Sequence, residues 1–181
     1  MTSSLSSAPP VIVVMGVAGT GKSSIGAALA ARHGWTFLEG DDLHPPANVV
    51  RMASGLPLTD GDRSDWLATI ARHIAEADRA GTGLVVACSA LKRRYRDQLS
   101  AASPRVVFLF LTGERALVEA RMASRAGHFM PLSLIDSQFE ALEPPQDDER
   151  AFALPISLAP ASLLDEADRR LAGLHKREAA Q

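Results

Sequence analysis

Apolar residues along this chain come in short, β-branched blocks separated by longer stretches of helical spacing. Val11-Ile12-Val13-Val14-Met15 is the first block, and glycines follow it at once. Trp35 to Glu39, Leu84 to Cys88 and Arg105 to Leu111 are three more. A block that is apolar throughout, rather than at alternate positions, is buried on both faces, which means a parallel sheet covered by helices. Ala151 to Leu158 offers a fifth, poorer strand, and Pro155 restricts it to a sheet edge or a strand end.

Helical patterns fill the intervals. Gly21 to His33 is Ala-rich and closes at Gly34, and Pro45 to Ala53 opens on prolines and closes near Gly55. Asp62 to Ala80 sets Trp66, Leu67, Ile70, Ile74 and Ala77 on one stripe before Gly81. Ala90 to Ser100, Glu114 to Ala126, Pro131 to Leu142 and Ser162 to Leu174 complete the helices. The alternation predicts an α/β fold, a three-layer α/β/α sandwich around a five-stranded parallel sheet. Gly127 to Met130 and Glu143 to Arg150 break the rhythm and are candidate functional loops.

Composition narrows the classes. A chain of 181 residues fits one domain, with enough core to fold without disulfides or a structural metal. Residues 1–10, Ser-rich and ending in Pro9-Pro10, read as a disordered leader, and 11–181 as the single domain. With 21 acidic against 19 basic residues, the net charge of -2 argues against a general nucleic-acid binder. The single Cys88 excludes an internal disulfide and a cysteine-based zinc site, and suits a reducing compartment. No apolar run approaches the ~20 residues that span a bilayer. The leader has neither the basic start nor the apolar stretch of a secretory signal. The expectation is a cytoplasmic protein with neither membrane nor nucleic acid as partner.

The chemistry begins after the first strand. Gly16-Val17-Ala18-Gly19-Thr20-Gly21-Lys22-Ser23 matches a phosphate-binding loop at every fixed position. Glycines there let successive N–H groups curl around a phosphate chain, and Lys22 reaches the β- and γ-phosphates. The Ser23 hydroxyl suits Mg²⁺, and the following helix presents its positive end. A GTPase would add Asn-Lys-x-Asp, which is absent. A motor or transporter ATPase would close a strand with a metal-holding Asp, but the third strand ends in Cys88-Ser89 and the fourth in Thr112-Gly113. Carboxylates instead follow the second strand, in Glu39-Gly40-Asp41-Asp42. Strand carboxyl ends form the ligand crevice of a parallel sheet, so this cluster faces the phosphate loop. A carboxylate there can orient an acceptor hydroxyl and take its proton; a helix-capping acidic turn is the plainer alternative.

Gly40-Asp41-Asp42-Leu43-His44-Pro45-Pro46-Ala47-Asn48 is followed by Gly55-Leu56-Pro57-Leu58-Thr59-Asp60-Gly61-Asp62-Arg63 with Trp66-Leu67. Cys88-Ser89-Ala90-Leu91-Lys92 with Tyr95-Arg96-Asp97, Gly127-His128-Phe129-Met130, Ser137-Gln138-Phe139 and Leu142-Glu143-Pro144 come after them. In this order the segments resemble the gluconokinases, small phosphate-loop kinases that transfer phosphate from ATP to the C6 hydroxyl of D-gluconate. The resemblance spans roughly Val11 to Pro145. It implies a nucleoside-monophosphate-kinase-like fold with a lid around 121–142, ATP and Mg²⁺ as cofactors, D-gluconate as small-molecule partner, and a homodimer.

By the same resemblance Gly16, Ala18, Gly19, Thr20, Gly21, Lys22, Ser23 and Ser24 bind ATP together with Arg121 and Arg125. Ser23 and Glu39 serve the metal. Asp41, Lys22 and Arg125 form the catalytic set. Asp41, His44, Arg51, Arg63, Lys92, Arg96 and His128 contact gluconate. Four-residue spacing is expected to turn Lys92 and Arg96 into the site together while Arg93 and Arg94 point elsewhere. Arg121 and Arg125, also four apart, lead into a Gly127 hinge. Two readings stay open beside gluconate phosphorylation. One is a kinase for another small hydroxy acid such as shikimate, and the other a non-catalytic nucleotide-dependent switch.

Overall fold

Both faces of one sheet collect the apolar blocks. The computed structural model describes residues 8–124 and 132–178. Strands β1 (Val11–Met15), β2 (Thr36–Glu39), β3 (Leu84–Ala87), β4 (Val106–Thr112) and β5 (Ala151–Pro155) form a parallel sheet in the order β2-β3-β1-β4-β5. β1 is central, with Val11 opposite Leu84 on one side and Val106 on the other.

The period of two in β1 assigns its side chains to two cores. Ile12 and Val14 pack with residues of helices α1 (Lys22–His33), α5 (Arg115–Ala123), α6 (Leu132–Ala141) and α7 (Pro160–Glu178). Val11, Val13 and Met15 pack with residues of α3 (Asp60–Ala80) and α4 (Arg93–Ser100). Three layers result, as the uninterrupted apolar blocks require. β5 is an edge with alternating burial, and Pro155 is its last residue, where the missing N–H breaks no ladder.

Several boundaries differ from the sequence reading for identifiable reasons. α3 starts at Asp60 rather than Asp62, because Thr59 and Asp62 form a reciprocal capping box. Those bonds also hold the Asp62 carboxyl below its usual range. α4 starts at Arg93 rather than Ala90, since Lys92 is its extended N-cap and Ala90 takes a φ of 44°. The end of the expected leader is fastened: Pro10 is buried, and the Pro9 carbonyl accepts from Arg105. Residues 1–7 lie outside the described part.

Candidate active site

The carboxyl ends of β1, β2 and β3 open onto one crevice, at the switch point where chain connections leave the central strand in opposite directions. A cavity of about 200 Å³ lies there, lined on one side by Ala18, Gly19, Gly21, Lys22 and Ser23. Asp41, His44, Arg63 and Ser89 line its other side, and Leu134, Ser137 and Gln138 of α6 close it.

The loop after β1 is curled as a phosphate cradle. Gly19 and Gly21 have φ of 79° and 95°, a region open to glycine at little cost. A Cβ at Gly19 would also lie 2.7 Å from the Met122 side chain, which would have to shift to admit it. The buried Thr20 hydroxyl donates to the Val17 carbonyl at 2.9 Å, and Lys22 Nζ donates to the same carbonyl at 3.1 Å. Both bonds hold the loop closed on itself, with the N-terminus of α1 behind it. Ser24, expected with the loop, is exposed and does not line the cavity.

Asp41 is placed by its neighbours. Gly40 packs directly on the Ala87 carbonyl of β3, too close for any Cβ. Its own carbonyl accepts from the buried Trp66 indole at 2.7 Å. Trp66 in turn stacks on His44, with ring centroids 4.2 Å apart. Burial pushes the His44 imidazole below its ordinary pKa, against the pull of Asp41 and with help from Arg63. Asn48 Nδ2, which donates to the Asp62 carbonyl at 2.7 Å, also faces His44 Nδ1 at 3.4 Å. An amide NH2 only donates, so Nδ1 accepts and the neutral ring carries its proton on Nε2. That nitrogen faces Asp41 Oδ1 at 3.9 Å. Asp41 reaches the cavity with its side chain 73% exposed, whereas Asp42 does not line it. Glu39 caps the 3-10 turn of residues 40–43 through the Asp41 N–H and does not line the cavity.

A second cavity, about 190 Å³, adjoins the first and shares Pro57, Leu58, Arg63 and Ser137 with it. Lys92, Asp60 and Tyr95 line it. Asp60 accepts from Lys92 at 3.0 Å and from Tyr95 and Arg94. Arg63, Lys92 and Arg94 all lie within 6 Å of the Tyr95 ring centroid, at 5.8, 5.9 and 5.5 Å. Two lining cations, Arg63 and Lys92, with Arg94 beside them, against the one lining carboxylate of Asp60 make this an anion-seeking pocket.

Other expected residues stand elsewhere. Arg96 is buried, paired through Nε and Nη2 with Glu149 at 2.5 and 2.9 Å, and donates through Nη1 to the Ala90 and Leu91 carbonyls. It does not line either substrate cavity. The shared-face argument fails because Lys92 caps α4 instead of belonging to it. Arg93 grips Asp148, so Glu143 to Arg150, a candidate functional loop in the sequence, is clamped to α4. Arg51 donates to the Pro57 carbonyl and pairs with Asp62, bracing the α2–α3 turn, where α2 is Pro46–Ala53. Arg121 donates to the Ile156 carbonyl, while its neighbour Met122 lines the cavity. Arg125 and His128 fall outside the described residues. Ser89, Leu134, Ser137 and Gln138 line the site without having been assigned to it, although three of them sit within the motif segments.

A three-layer fold with a phosphate loop, a facing carboxylate and a cationic pocket defines a small-molecule kinase of the phosphate-loop class. The family model for an AAA domain matches residues 11–145. The chain is 46% identical over 158 residues to the gluconokinase of Gluconobacter oxydans (strain 621H), covering 87% of this chain and 89% of that one. A crystal structure of a gluconokinase from Sinorhizobium meliloti 1021 superposes with a TM-score of 0.89 at 45% identity, covering 96% of this chain and 98% of that one. The chain belongs to the gluconokinase family, and it is a kinase. A shikimate kinase from Aquifex aeolicus, at 16% identity and a TM-score of 0.60, shares the fold alone.

Proposed function

We propose that this protein transfers the γ-phosphoryl group of ATP to the C6 hydroxyl of D-gluconate, giving 6-phospho-D-gluconate and ADP. The observation that carries the reading is one crevice holding Lys22, Asp41 and Arg63 together, in a chain of this family. The loop residues Gly19 to Ser23 embrace the phosphates, while the Ala18 N–H is taken by Gln138, and Lys22 draws charge from the transferring group. Asp41 orients the acceptor hydroxyl and takes its proton as the O6–Pγ bond forms and the bond from Pγ to the ADP oxygen breaks. Neutral His44 lines the crevice beside Asp41, its Nε2 3.9 Å from Asp41 Oδ1. Arg63, shared by both cavities, and Lys92 hold the carboxylate of gluconate, for which Lys92 exchanges Asp60.

The oxygen donors present suit Mg²⁺, a hard cation that keeps several waters. Ser23 would hold it, with Glu39 acting through water, and the ion would neutralise charge on the β- and γ-phosphates. Arg121 and Arg125 as phosphate clamps, and His128 beside them, rest on the family resemblance, as do a homodimer and a cytoplasmic location. No helix among the described residues is long and apolar enough to cross a membrane. ADP release measured across gluconate, other aldonic acids, shikimate and nucleoside monophosphates tests the reading. Turnover strictly dependent on gluconate is expected, and turnover preferring shikimate or needing no acceptor would overturn it.

A further inference from the structure

Helix α6 reaches the site with three residues on one face. Leu134, Ser137 and Gln138 stand three and four positions apart and all line the cavity beside the phosphate loop. The helix is fixed from outside the site. Arg115 of α5 pairs with Asp136 at 2.7 Å and lies 5.3 Å from the Phe139 ring centroid. Just past the helix, the Glu143 N–H donates to the Leu91 carbonyl at 2.9 Å.

Gln138 is held at one end. Its Oε1 accepts from the Ala18 N–H at 2.7 Å, a contact spanning 120 residues of sequence. An N–H can only donate, so the amide oxygen must face the loop and the NH2 group is the end turned away from it. Among the described residues no protein acceptor takes that NH2 group. Ser137 is the complement: its hydroxyl proton goes to the Leu134 carbonyl at 2.9 Å, which leaves its oxygen lone pairs for the cavity. α6 therefore brings one neutral donor and one neutral acceptor to a cavity whose remaining polar side chains include the charged Lys22, Asp41 and Arg63.

Charged groups answer the phosphates and the carboxylate of the substrates. Neutral donor and acceptor pairs answer hydroxyls, and a site built to bond a hydroxyl discriminates against analogues lacking it. We propose that Gln138 is a specificity-determining residue that reads the hydroxyl chain of the acceptor, donating from Nε2 to one of its hydroxyls while the Ala18 N–H pins its oxygen. Ser137 accepts from a neighbouring hydroxyl. The Ala18 tether ties this reading to the phosphate loop, so the acceptor chain is indexed against the group it receives. The inference rests on the reading of the protein as a polyhydroxy-acid kinase.

The test uses the full chain and a series of deoxy-gluconates, each lacking one hydroxyl other than the reacting one. In the unaltered protein, removal of the hydroxyl bonded by Gln138 is expected to lower kcat/KM roughly 3- to 10-fold, the worth of one hydrogen bond. In Gln138→Ala the same deletion should cost nothing further, while the acceptor KM rises and the dissociation constant of a non-hydrolysable ATP analogue stays within about twofold. Gln138→Glu keeps an oxygen for Ala18 but loses the donor, so it should show the same vanished penalty even if Gln138→Ala folds poorly. Equal deoxy penalties in all three proteins overturn the proposal. So does a change confined to the ATP analogue, which would make Gln138 a phosphate-site residue. If the unaltered protein turns over a different hydroxy acid, the gluconate reading fails, and deoxy analogues of that acid put the same question to Gln138.

Discussion

Arg96→Met isolates the clamp behind the acceptor pocket. The Arg96 and Glu149 side chains are 1% and 5% exposed, so this pair has little solvent to fall back on. Removing the guanidinium strips Glu149 of two bonds and the Ala90 and Leu91 carbonyls of one each. Breaking a buried pair from one side typically costs ~3–5 kcal/mol, because the remaining charge stays buried without compensation. Arg93, 3.9 Å from Glu149, relieves part of that. At this chain length each kcal/mol lowers the melting temperature by roughly 2–4 °C, so a drop of about 6–20 °C is expected by calorimetry near pH 7. Replacing both partners, as Arg96→Met with Glu149→Leu, should restore most of the loss. The pH dependence has a definite sign. Burial, the largest single influence, raises the Glu149 pKa, but the Arg96 bonds, the Gln146 N–H bond and the charges of Arg96 and Arg93 together outweigh it and hold the carboxyl below its ordinary value. A depressed carboxyl stabilises the fold above its unfolded-state pKa and loses that contribution as pH falls through the folded one. In Arg96→Met burial acts unopposed by that guanidinium, so the gap between the two proteins should narrow as pH falls through the carboxylate range. A loss below about 1 kcal/mol, the scale of an exposed ion pair, would refute the reasoning.

Two further predictions concern the chemistry. Asp41→Asn should lower kcat by about 10²–10⁴-fold with ATP affinity little changed, whereas Asp42→Asn should be mild; the reverse pattern in steady-state kinetics would move the proton acceptor to Asp42. Arg63→Ala should raise the gluconate KM more than Lys92→Ala does, because Arg63 lines both cavities while Lys92 must first release Asp60; a rise in the ATP KM instead would put either residue in the phosphate site.

What could be read in the sequence follows from how local each feature is. The sheet was legible because β1 and β3 are apolar at every position and β4 at all but its last, a pattern that two-sided burial explains. The phosphate loop was legible because its glycines, lysine and serine are contiguous and act through the backbone they themselves bend. The acceptor side was legible only as motif segments. Which of their side chains face inward depends on contacts made from afar: Trp66 on Gly40, Asn48 on the Asp62 carbonyl, Glu149 on Arg96. Arg96 shows the limit most clearly. Its helical spacing from Lys92 is real in the sequence, but α4 begins one residue after Lys92, and the acid that claims Arg96 lies 53 residues downstream. Gln138 shows the converse, a residue within a quoted segment whose meaning appears only when α6 meets the loop after β1.

That division has a consequence for specificity. A fold kept at low sequence identity by kinases of other acceptors cannot itself select gluconate, so the choice must lie in side chains that the scaffold leaves free to vary. The phosphate half offers few such positions, since Gly19 and Gly21 hold left-handed φ values that strain any side chain and the Thr20 and Lys22 bonds hold the loop to its own carbonyl. The acceptor half is assembled from four separate segments: residues 41–44 after β2, 57–63 at the start of α3, 89–95 around the start of α4, and 134–138 on α6. Their contributions differ in kind. Under the proposed function, Arg63 and Lys92 supply charge for the acid end, Asp41 the proton acceptor at the other, and α6 the neutral groups between. A variant that changes acceptor without losing ATP turnover should therefore change residues of these segments and leave Gly16 to Ser23 untouched.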